Sequence, residues 1–216
     1  MSVADQPVGR RERNKQAKLE RITSAASHLF AEHGVDDVTT QQIAEMADIG
    51  TGTLFLYAKT KGELLLLVQN TKYAAALEQG RAAAETIPGV LDAVLAIVQP
   101  IVECNRTQIE NGRTYLREMV FGDPEEPHHA EALTIVAQTE EAVAAVLRRD
   151  QRIEDPDAVT LARVVSSVMF LSTAMSLNIT WSVEEIMHDI HRQIGALLAS
   201  PRNATPTWTP PRGRPT

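Results

Sequence analysis

Cysteine, aromatic residues and long apolar runs are all scarce in this 216-residue sequence. The single cysteine, Cys104, cannot form a disulfide within the chain, which fits a reducing compartment and a cytoplasmic location. Aromatic residues make up 4% of the chain and apolar residues 44%, so the apolar content is mainly aliphatic and favours helices over sheets. A chain of this length can bury a core in one large or two small domains.

Several functional classes are disfavoured because their sequence signals are missing. No run of about 18 apolar residues is present, so no transmembrane helix is expected. The basic N-terminal segment lacks the apolar stretch of a secretory signal. We find no phosphate-binding loop, nucleophile elbow or paired acid–base spacing, which argues against an enzyme. His128, His129 and Glu131 come closest to a metal site, but adjacent histidines point in different directions on a helix. We therefore expect neither a metal nor a cofactor.

The charge is distributed unevenly along the chain. The net charge is −7 overall, and residues 1–62, 63–200 and 201–216 carry net charges of 0, −10 and +3. The first segment contains a basic stretch that comprises Arg10, Arg11, Arg13, Lys15, Lys18 and Arg21. Because nucleic-acid binding depends on the local patch rather than on the total charge, both basic ends of the chain are compatible with DNA.

The spacing of apolar residues and the positions of helix caps predict an all-α fold. Helices are expected over approximately residues 15–33, 39–47, 51–57, 60–85, 88–109, 112–121, 128–149, 156–178 and 183–199. Capping boxes occur at Thr39-x-x-Gln42, Thr60-x-x-Glu63 and Ser182-x-x-Glu185. Gly34 suits the left-handed residue that closes a helix.

These helices divide the chain into four segments. We expect a disordered basic arm at residues 1–14, a small three-helix domain at 15–62, a larger helical domain at 63–200 and a disordered proline-rich tail at 201–216. The stretch Leu64–Val68 is apolar nearly all round, so it should be buried between the two domains.

Residues 39–61 have the layout of a helix-turn-helix. Ile43, Ala44, Ala47, Ile49 and Leu54 would face the core of the small domain. Five residues then remain on or near the outer face, namely Thr51, Gly52, Thr53, Phe55 and Tyr57. Glycine inside a helix costs roughly 1 kcal/mol against alanine, so Gly52 indicates close approach to another surface such as DNA. An ordinary helical hairpin would explain the apolar positions equally well.

The stretch from Ile22 to Leu65 resembles the TetR family of transcriptional regulators. The resemblance follows an ordered, ungapped string of residues: Phe30, Gly34, Thr39-Thr40, Ile43-Ala44, Ala47, Ile49, Gly52-Thr53-Leu54, Tyr57, Lys61 and Leu64. It implies an N-terminal three-helix DNA-binding domain followed by a C-terminal helical domain for ligand binding and dimerisation. The remaining two thirds of the chain agree with the family in length and helical character.

The resemblance also implies roles for individual residues. Thr40 and Gln41 match positions that touch phosphate or a base edge, and Thr51 and Thr53 match groove-facing positions beside Gly52. Tyr57 matches a contact position and Lys61 a lysine that binds phosphate.

Three positions depart from the family pattern. Phe55 stands where the family usually has a tyrosine, so its contact can only be apolar. Gly50 replaces a usual serine or threonine cap, and Ala58 replaces a usual phenylalanine.

The larger domain is expected to bind a small effector and to form a homodimer. The candidate ligand-lining residues are Ile101, Cys104, Tyr115, Met119, Phe121, Met169, Phe170 and Trp181. The candidate dimer-interface residues are Val164, Val165, Val168, Leu171, Met175, Ile186, Ile190, Ile194 and Leu197. Each of these residues could instead belong to the core. Cys104 could also sense oxidants, although a lone cysteine on an apolar helix is usually packed in the core.

The sequence therefore favours a ligand-responsive repressor. It would bind a palindromic double-stranded DNA operator as a homodimer and be released by a small, largely apolar molecule, when the helix starting at Thr60 swings. Alternatives are an activator with the same fold and a helical protein-interaction module that does not bind DNA.

Two terminal segments carry further hypotheses. Arg10, Arg11, Arg13 and Lys15 either contact phosphates or form a solvated tail. Pro211–Pro215, with the sequence PRGRP, resembles the core of an AT-hook, in which Arg-Gly-Arg lies in a narrow minor groove. An unstructured tail is the alternative for that segment.

Overall fold

The computed structural model describes residues 9–199, and in this range every element of regular structure is helical. The all-α prediction is therefore confirmed. The α-helices are α1 (Arg10–His33), α2 (Thr40–Met46), α3 (Thr51–Leu54), α4 (Lys61–Glu85), α5 (Val90–Arg106), α6 (Ile109–Phe121), α7 (Pro127–Leu147), α8 (Asp155–Ala174) and α9 (Val183–Ala199). A short 3₁₀ helix, Ser176–Asn178, lies between α8 and α9.

The predicted helix caps are present. The Thr39 hydroxyl accepts from the Gln42 amide (3.2 Å), and the Gln42 side chain accepts from the Thr39 amide (2.7 Å). Ser182 and Glu185 make the same reciprocal pair before α9. Before α4 the pair is incomplete, because the Glu63 carboxylate accepts from the amide of Lys59 rather than that of Thr60. Gly34 closes α1 with φ of +78°, a conformation that side-chain-bearing residues rarely adopt.

Several helix boundaries differ from the prediction, among them those of α1, α3 and α8. α1 begins at Arg10, so the expected disorder is wrong for residues 10–14, where the three arginines and Glu12 are good helix formers. α3 ends at Leu54 rather than near Tyr57. α8 ends at Ala174 rather than at Asn178, because the Asn178 side chain donates to the carbonyl of Ser172 (2.8 Å) and fixes a separate turn. The tail at residues 201–216, with its PRGRP segment, and residues 1–8 of the arm lie outside the described range.

Helix α4 connects the two domains and packs against α1, α5, α6 and α7. Its first turns carry Leu64, Leu65, Leu66 and Val68, all of which are buried, as the sequence predicted. The close crossing of α4 and α5 depends on Gly80, since a Cβ there would lie 2.8 Å from the Ile97 backbone. The small domain is therefore attached to the larger one through an apolar and tightly packed helix.

Polar contacts also join the domains. The buried Asn111 side chain, on α6, donates to the carbonyl of Phe30 and accepts from the amide of Val35, both at 2.7 Å. It thus satisfies the Val35 amide beyond α1 and adds a second bond to the Phe30 carbonyl, which also accepts from Gly34. His128, on α7, donates from Nε2 to the carbonyl of Tyr57 at 3.1 Å. Both ends of the small domain are therefore held by helices of the larger one.

Candidate DNA interface and effector cavity

The core of the helix-turn-helix is packed as the sequence predicted. Ile43, Ala44, Ala47 and Leu54 are buried, and Ile49 packs against them. Asp48, in the turn, has φ of +51°, and its carbonyl and carboxylate both accept from the Arg21 guanidinium at 3.3 Å. The turn is therefore braced against the middle of α1.

All eight residues proposed to contact DNA have accessible surface. Gln41, Thr51, Gly52 and Phe55 are exposed, whereas Thr40, Thr53, Tyr57 and Lys61 are partly buried. Leu56, which sequence reasoning passed over, has 84% of its surface exposed beside Phe55. Its exposure has no sequence signal, because an exposed leucine and a core leucine read alike. Two adjacent apolar side chains therefore lie at the end of the recognition helix.

Some of these side chains are already held by neighbouring backbone. The Lys61 ammonium donates to the carbonyl of Asp36 (2.9 Å), and the Tyr57 hydroxyl donates to the carbonyl of Lys15 (3.4 Å). Gln41 donates to Glu45 one turn later (2.9 Å). These bonds limit the rotamers of three candidate contact residues before DNA arrives, and this reduces the entropic cost of binding.

Gly52 meets nothing within the protein. A Cβ added at Gly52 would have no atom within 4 Å, and the same is true of Gly50. No internal packing therefore requires glycine at position 52, although it weakens the helix. The open space fits the predicted close approach of another molecule.

The basic N-terminal turns of α1 flank the recognition helix. Arg10, Arg11, Asn14, Lys15 and Lys18 line one open groove together with Glu12, Thr53, Leu56 and Tyr57. The groove joins the positive side chains of α1 to the residues that follow the turn. Its position beside α3 supports the hypothesis that α1 contacts phosphates.

A small cavity lies inside the larger domain. Its volume is about 90 Å³. It is lined by Tyr73, Ile101, Val102, Asn105, Tyr115, Leu116, Met119, Ala132, Ile135, Val136, Thr139, Ser166, Met169, Phe170 and Thr173. Five of the eight predicted lining residues are therefore in its wall, namely Ile101, Tyr115, Met119, Met169 and Phe170.

The other three predicted lining residues lie elsewhere. Phe121, at the end of α6, has 80% of its surface exposed, because α6 ends there and leaves the ring beyond the core. Trp181 lies on an outer groove with Glu184 and His188. Cys104 is half-buried outside the cavity wall, and burial raises the pKa of its thiol. A thiol with a raised pKa is less reactive, which disfavours an oxidant-sensing role.

A chain of polar groups runs from the cavity wall to Tyr57, three residues beyond the recognition helix. The rings of Tyr73 and Tyr115 stack with centroids 4.2 Å apart, and the Tyr115 hydroxyl donates to Asn70 Oδ1 (2.9 Å). Asn70 Nδ2 donates to the carbonyl of His128 (2.9 Å), and the His128 ring bonds to the carbonyl of Tyr57. Sequence reasoning missed Asn70 and Asn111, since buried asparagines have no periodic signal.

The proposed dimer-interface residues divide into two groups. Val165, Ile186, Ile190 and Ile194 are buried inside the chain, where α9 packs against α5 and α8, and they have no surface for a partner. Those four assignments are wrong, because an apolar stripe does not tell which neighbour covers it. Leu171, Met175 and Leu197 are exposed, and Val164 and Val168 are partly exposed.

Further apolar side chains are exposed close to that surface. Leu177 is 77% exposed and Ile179 is 40% exposed, just after α8. Val120 and Phe121, from α6, line one groove together with Ile179. α8 also has the length and apolar composition of a membrane-crossing segment, which the sequence analysis did not predict, and 28% of its most apolar stretch is buried. An unpaired apolar face on α8 accounts for that composition.

The histidines on α7 have structural partners. His129 is buried and bonds through Nε2 to the carbonyl of Met119 (3.2 Å), and His128 bonds to Tyr57 as described above. Within residues 9–199, no group of three or more histidine, cysteine or acidic side chains is arranged to hold a metal ion.

Comparisons with known proteins agree with this geometry. Residues 22–68 match the model of a family described as bacterial regulatory proteins, tetR family. No protein with curated annotation matches the sequence of this chain.

Solved structures extend the likeness over both domains. Thermus thermophilus FadR, a TetR family transcriptional repressor solved in complex with lauroyl-CoA, has a TM-score of 0.67 and 20% identity, covering 91% of this chain and 100% of its own. A TetR transcriptional regulator from Rhodococcus sp. RHA1 has a TM-score of 0.66 and 18% identity, covering 86% and 98%. Bacillus halodurans FadR, a fatty acid degradation regulator, has a TM-score of 0.60 and 13% identity, covering 92% and 100%. At these identities the likeness shows the fold.

Proposed function

We propose that this chain, whose residues 22–68 match the tetR family of bacterial regulatory proteins, is a transcriptional repressor. It would bind a palindromic operator as a homodimer and be released by a small, largely apolar effector. The observation that carries the proposal is the set of hydrogen bonds and the ring stack that connect an apolar cavity to the exposed helix-turn-helix. A helical interaction module without DNA binding would have no need for the exposed Gly52 or for the basic groove beside α3.

The DNA contacts divide into reading and positioning groups. Thr51, Gly52, Thr53 and Phe55 occupy the exposed side of α3 and its end, where base edges and thymine methyl groups would be reached. Thr40, Gln41, Tyr57 and Lys61 flank this surface and would bind phosphates, together with the basic turns of α1. Reading and positioning together would give a specific but salt-dependent complex.

Dimerisation would use the exposed apolar surface around the end of α8. We define this surface by Val120, Phe121, Leu171, Met175, Leu177 and Ile179. Large exposed apolar side chains that lie close together are typical of protein interfaces. A two-fold dimer would place two recognition helices on successive half-sites of a palindrome.

We propose that the protein acts in the cytoplasm.

Effector binding would be coupled to DNA through α4, α6 and α7. The cavity of about 90 Å³ is smaller than the roughly 300–1,000 Å³ of typical ligand pockets, so a ligand must displace its walls. Tyr115 lies in that wall and connects through Asn70 and His128 to Tyr57. The T. thermophilus repressor was solved with lauroyl-CoA, and a fatty acyl chain belongs to the apolar ligand class proposed here. Wall displacement would favour the conformer with lower DNA affinity.

The proposal is tested by measuring operator affinity with and without candidate effectors. Fluorescence anisotropy on DNA upstream of the chain's own gene should show binding with a slope against salt that reflects several phosphate contacts. An effector should weaken this binding at least fivefold, and a reporter gene should be derepressed. Increased reporter expression in the presence of the protein alone would favour an activator, and no DNA binding would leave an interaction module.

A further inference from the structure

The cavity wall contains a buried amide oxygen without a hydrogen-bond partner. Asn105 is 4% exposed, and its Nδ2 donates both to the hydroxyl oxygen of Tyr73 (2.8 Å) and to the carbonyl of Gly112 (3.2 Å). Because the Gly112 carbonyl can only accept, these two bonds fix the amide orientation. Asn105 Oδ1 then has no partner in the described part of the chain.

Beside it, the hydroxyl proton of Tyr73 is uncommitted. The Tyr73 oxygen accepts from Asn105, and the neighbouring Tyr115 uses its own proton on Asn70. Burial raises the pKa of Tyr73 well above its ordinary value, so the ring keeps its proton at neutral pH. An acceptor and a donor thus lie side by side behind the wall of an apolar cavity. Asn105 Oδ1 has almost no accessible surface and lies against Gly112, so a ligand reaches it only when the cavity expands.

Two other polar groups of the wall are bonded to their own helices, and none of the wall residues is charged. The Thr139 hydroxyl donates to the carbonyl of Ile135 (2.8 Å), and the Thr173 hydroxyl donates to the carbonyl of Met169. Ser166 adds a further hydroxyl. A carboxylate or phosphate inside this wall would be buried without a cation, which is strongly unfavourable.

We propose that the cavity selects a neutral molecule with an apolar body and a hydroxyl group, as in a phenol or a small alcohol. Asn105 Oδ1 accepts the ligand hydroxyl proton, and the ligand oxygen accepts the proton of Tyr73. The inference rests on the proposed function only in taking this cavity as the effector site. The cavity is smaller than the roughly 150 Å³ that accommodates benzene in an engineered protein core, so one ring already requires some expansion.

The test compares phenol with toluene, which has a methyl group in place of the hydroxyl. Their dissociation constants are measured by calorimetry on the full chain without DNA, with benzoate as the anionic probe. We expect the ratio of phenol to toluene affinity to fall about tenfold in Asn105→Leu and in Tyr73→Phe, because each removes half of the pair. Thr139→Val is the matched control and should leave the ratio unchanged. Tyr73→Phe keeps the ring, so the test survives if Asn105→Leu fails to fold.

Three outcomes would overturn the proposal: an unchanged ratio in both variants, benzoate binding as tight as phenol, or no binding of phenol at millimolar concentration. Operator affinity is then measured with the same probes. If phenol binds with the expected dependence on Asn105 but does not release DNA, the proposed repressor mechanism fails while the cavity assignment stands. If toluene binds as well as phenol and releases DNA, the proposed selection of a hydroxyl group fails while the proposed repressor mechanism stands.

Discussion

The small domain and the larger domain use their polar side chains in opposite ways. In the small domain, the residues proposed to function lie at the surface and the interior is apolar. In the larger domain, Asn70, Asn105, Asn111, Tyr73 and Tyr115 are buried and bonded to partners 7 to 81 residues away in sequence. One domain is thus organised as a rigid body that presents side chains outward. The other has polar bonds in its interior, where a bound molecule can change them.

The largest effect is expected from a bulky side chain at Gly52, which tests whether the outer surface of the small domain contacts DNA. Gly52→Leu should lower operator affinity at least about 100-fold, roughly 2.7 kcal/mol, because the side chain occupies the space between α3 and DNA. The melting temperature should stay the same or rise, since leucine is a better helix former than glycine. Anisotropy titration and thermal unfolding measure the two effects. Gly50→Ser is the control, because it adds a helix cap and should retain binding. A Gly52→Leu protein that binds normally would contradict the proposed interface.

A charge in the exposed apolar surface should separate the protomers. Leu171→Glu places a carboxylate at the centre of this surface, so we expect a shift from dimer to monomer in light scattering. Operator affinity should fall about tenfold or more, because a monomer contacts one half-site. Leu133→Glu on α7, where the side chain is 41% exposed, is the matched control and should stay dimeric. If Leu171→Glu remains a dimer, the interface lies elsewhere.

The coupling between the domains can be weakened without touching either site. His128→Ala removes the bond to the Tyr57 carbonyl. The factor by which effector lowers operator affinity should therefore be about five- to tenfold smaller in this variant than in the native chain. Affinity without effector should change little. Thr134→Ala, on the same helix, removes a hydroxyl bonded only to its own helix and serves as the control. An unaltered effector response in His128→Ala would exclude this route.

The smallest expected effect concerns the basic turns of α1. The double variant Arg10→Gln with Arg11→Gln should lower operator affinity a few-fold at moderate salt. It should also reduce the slope of log affinity against log salt by about 2, since each phosphate contact contributes roughly 0.9. Arg152→Gln, on the far domain, is the control. If the native chain and the double variant have the same salt slope, the basic turns of α1 are solvated and do not contact phosphates.

The sequence predicted those features whose residues lie close together along the chain. Caps such as Thr39 with Gln42 act over three residues, so they were found before the structure. The outward positions on α3 followed from helical spacing and family resemblance. Ile186 and Ile190 were assigned to the wrong neighbour, because periodicity shows that a face is covered but not by which helix.

Long-range polar contacts were beyond sequence reasoning. Asn111 bonds to backbone more than 70 residues away, and no local pattern marks it. The Arg106 guanidinium likewise donates to the carbonyls of Asn178, Ile179 and Trp181, and this holds the chain between α8 and α9. Such contacts depend on tertiary packing, and they are the ones that connect the cavity to the rest of the molecule.

The hydrogen bonds between Arg21 and Asp48 connect the middle of α1 to the turn of the helix-turn-helix. The 24 residues of α1 span about 36 Å at 1.5 Å per residue, and Arg21 lies near the midpoint. At one end Asn111 of α6 bonds to the backbone of Phe30 and Val35, and at the other Arg10 and Arg11 lie beside the recognition helix. If α1 turned as a unit about Arg21, a displacement of the end that bonds to Asn111 would move the basic end in the opposite direction. A ligand that expands the cavity would then shift the phosphate-binding end of α1 through Asn111, by a route separate from the one through His128.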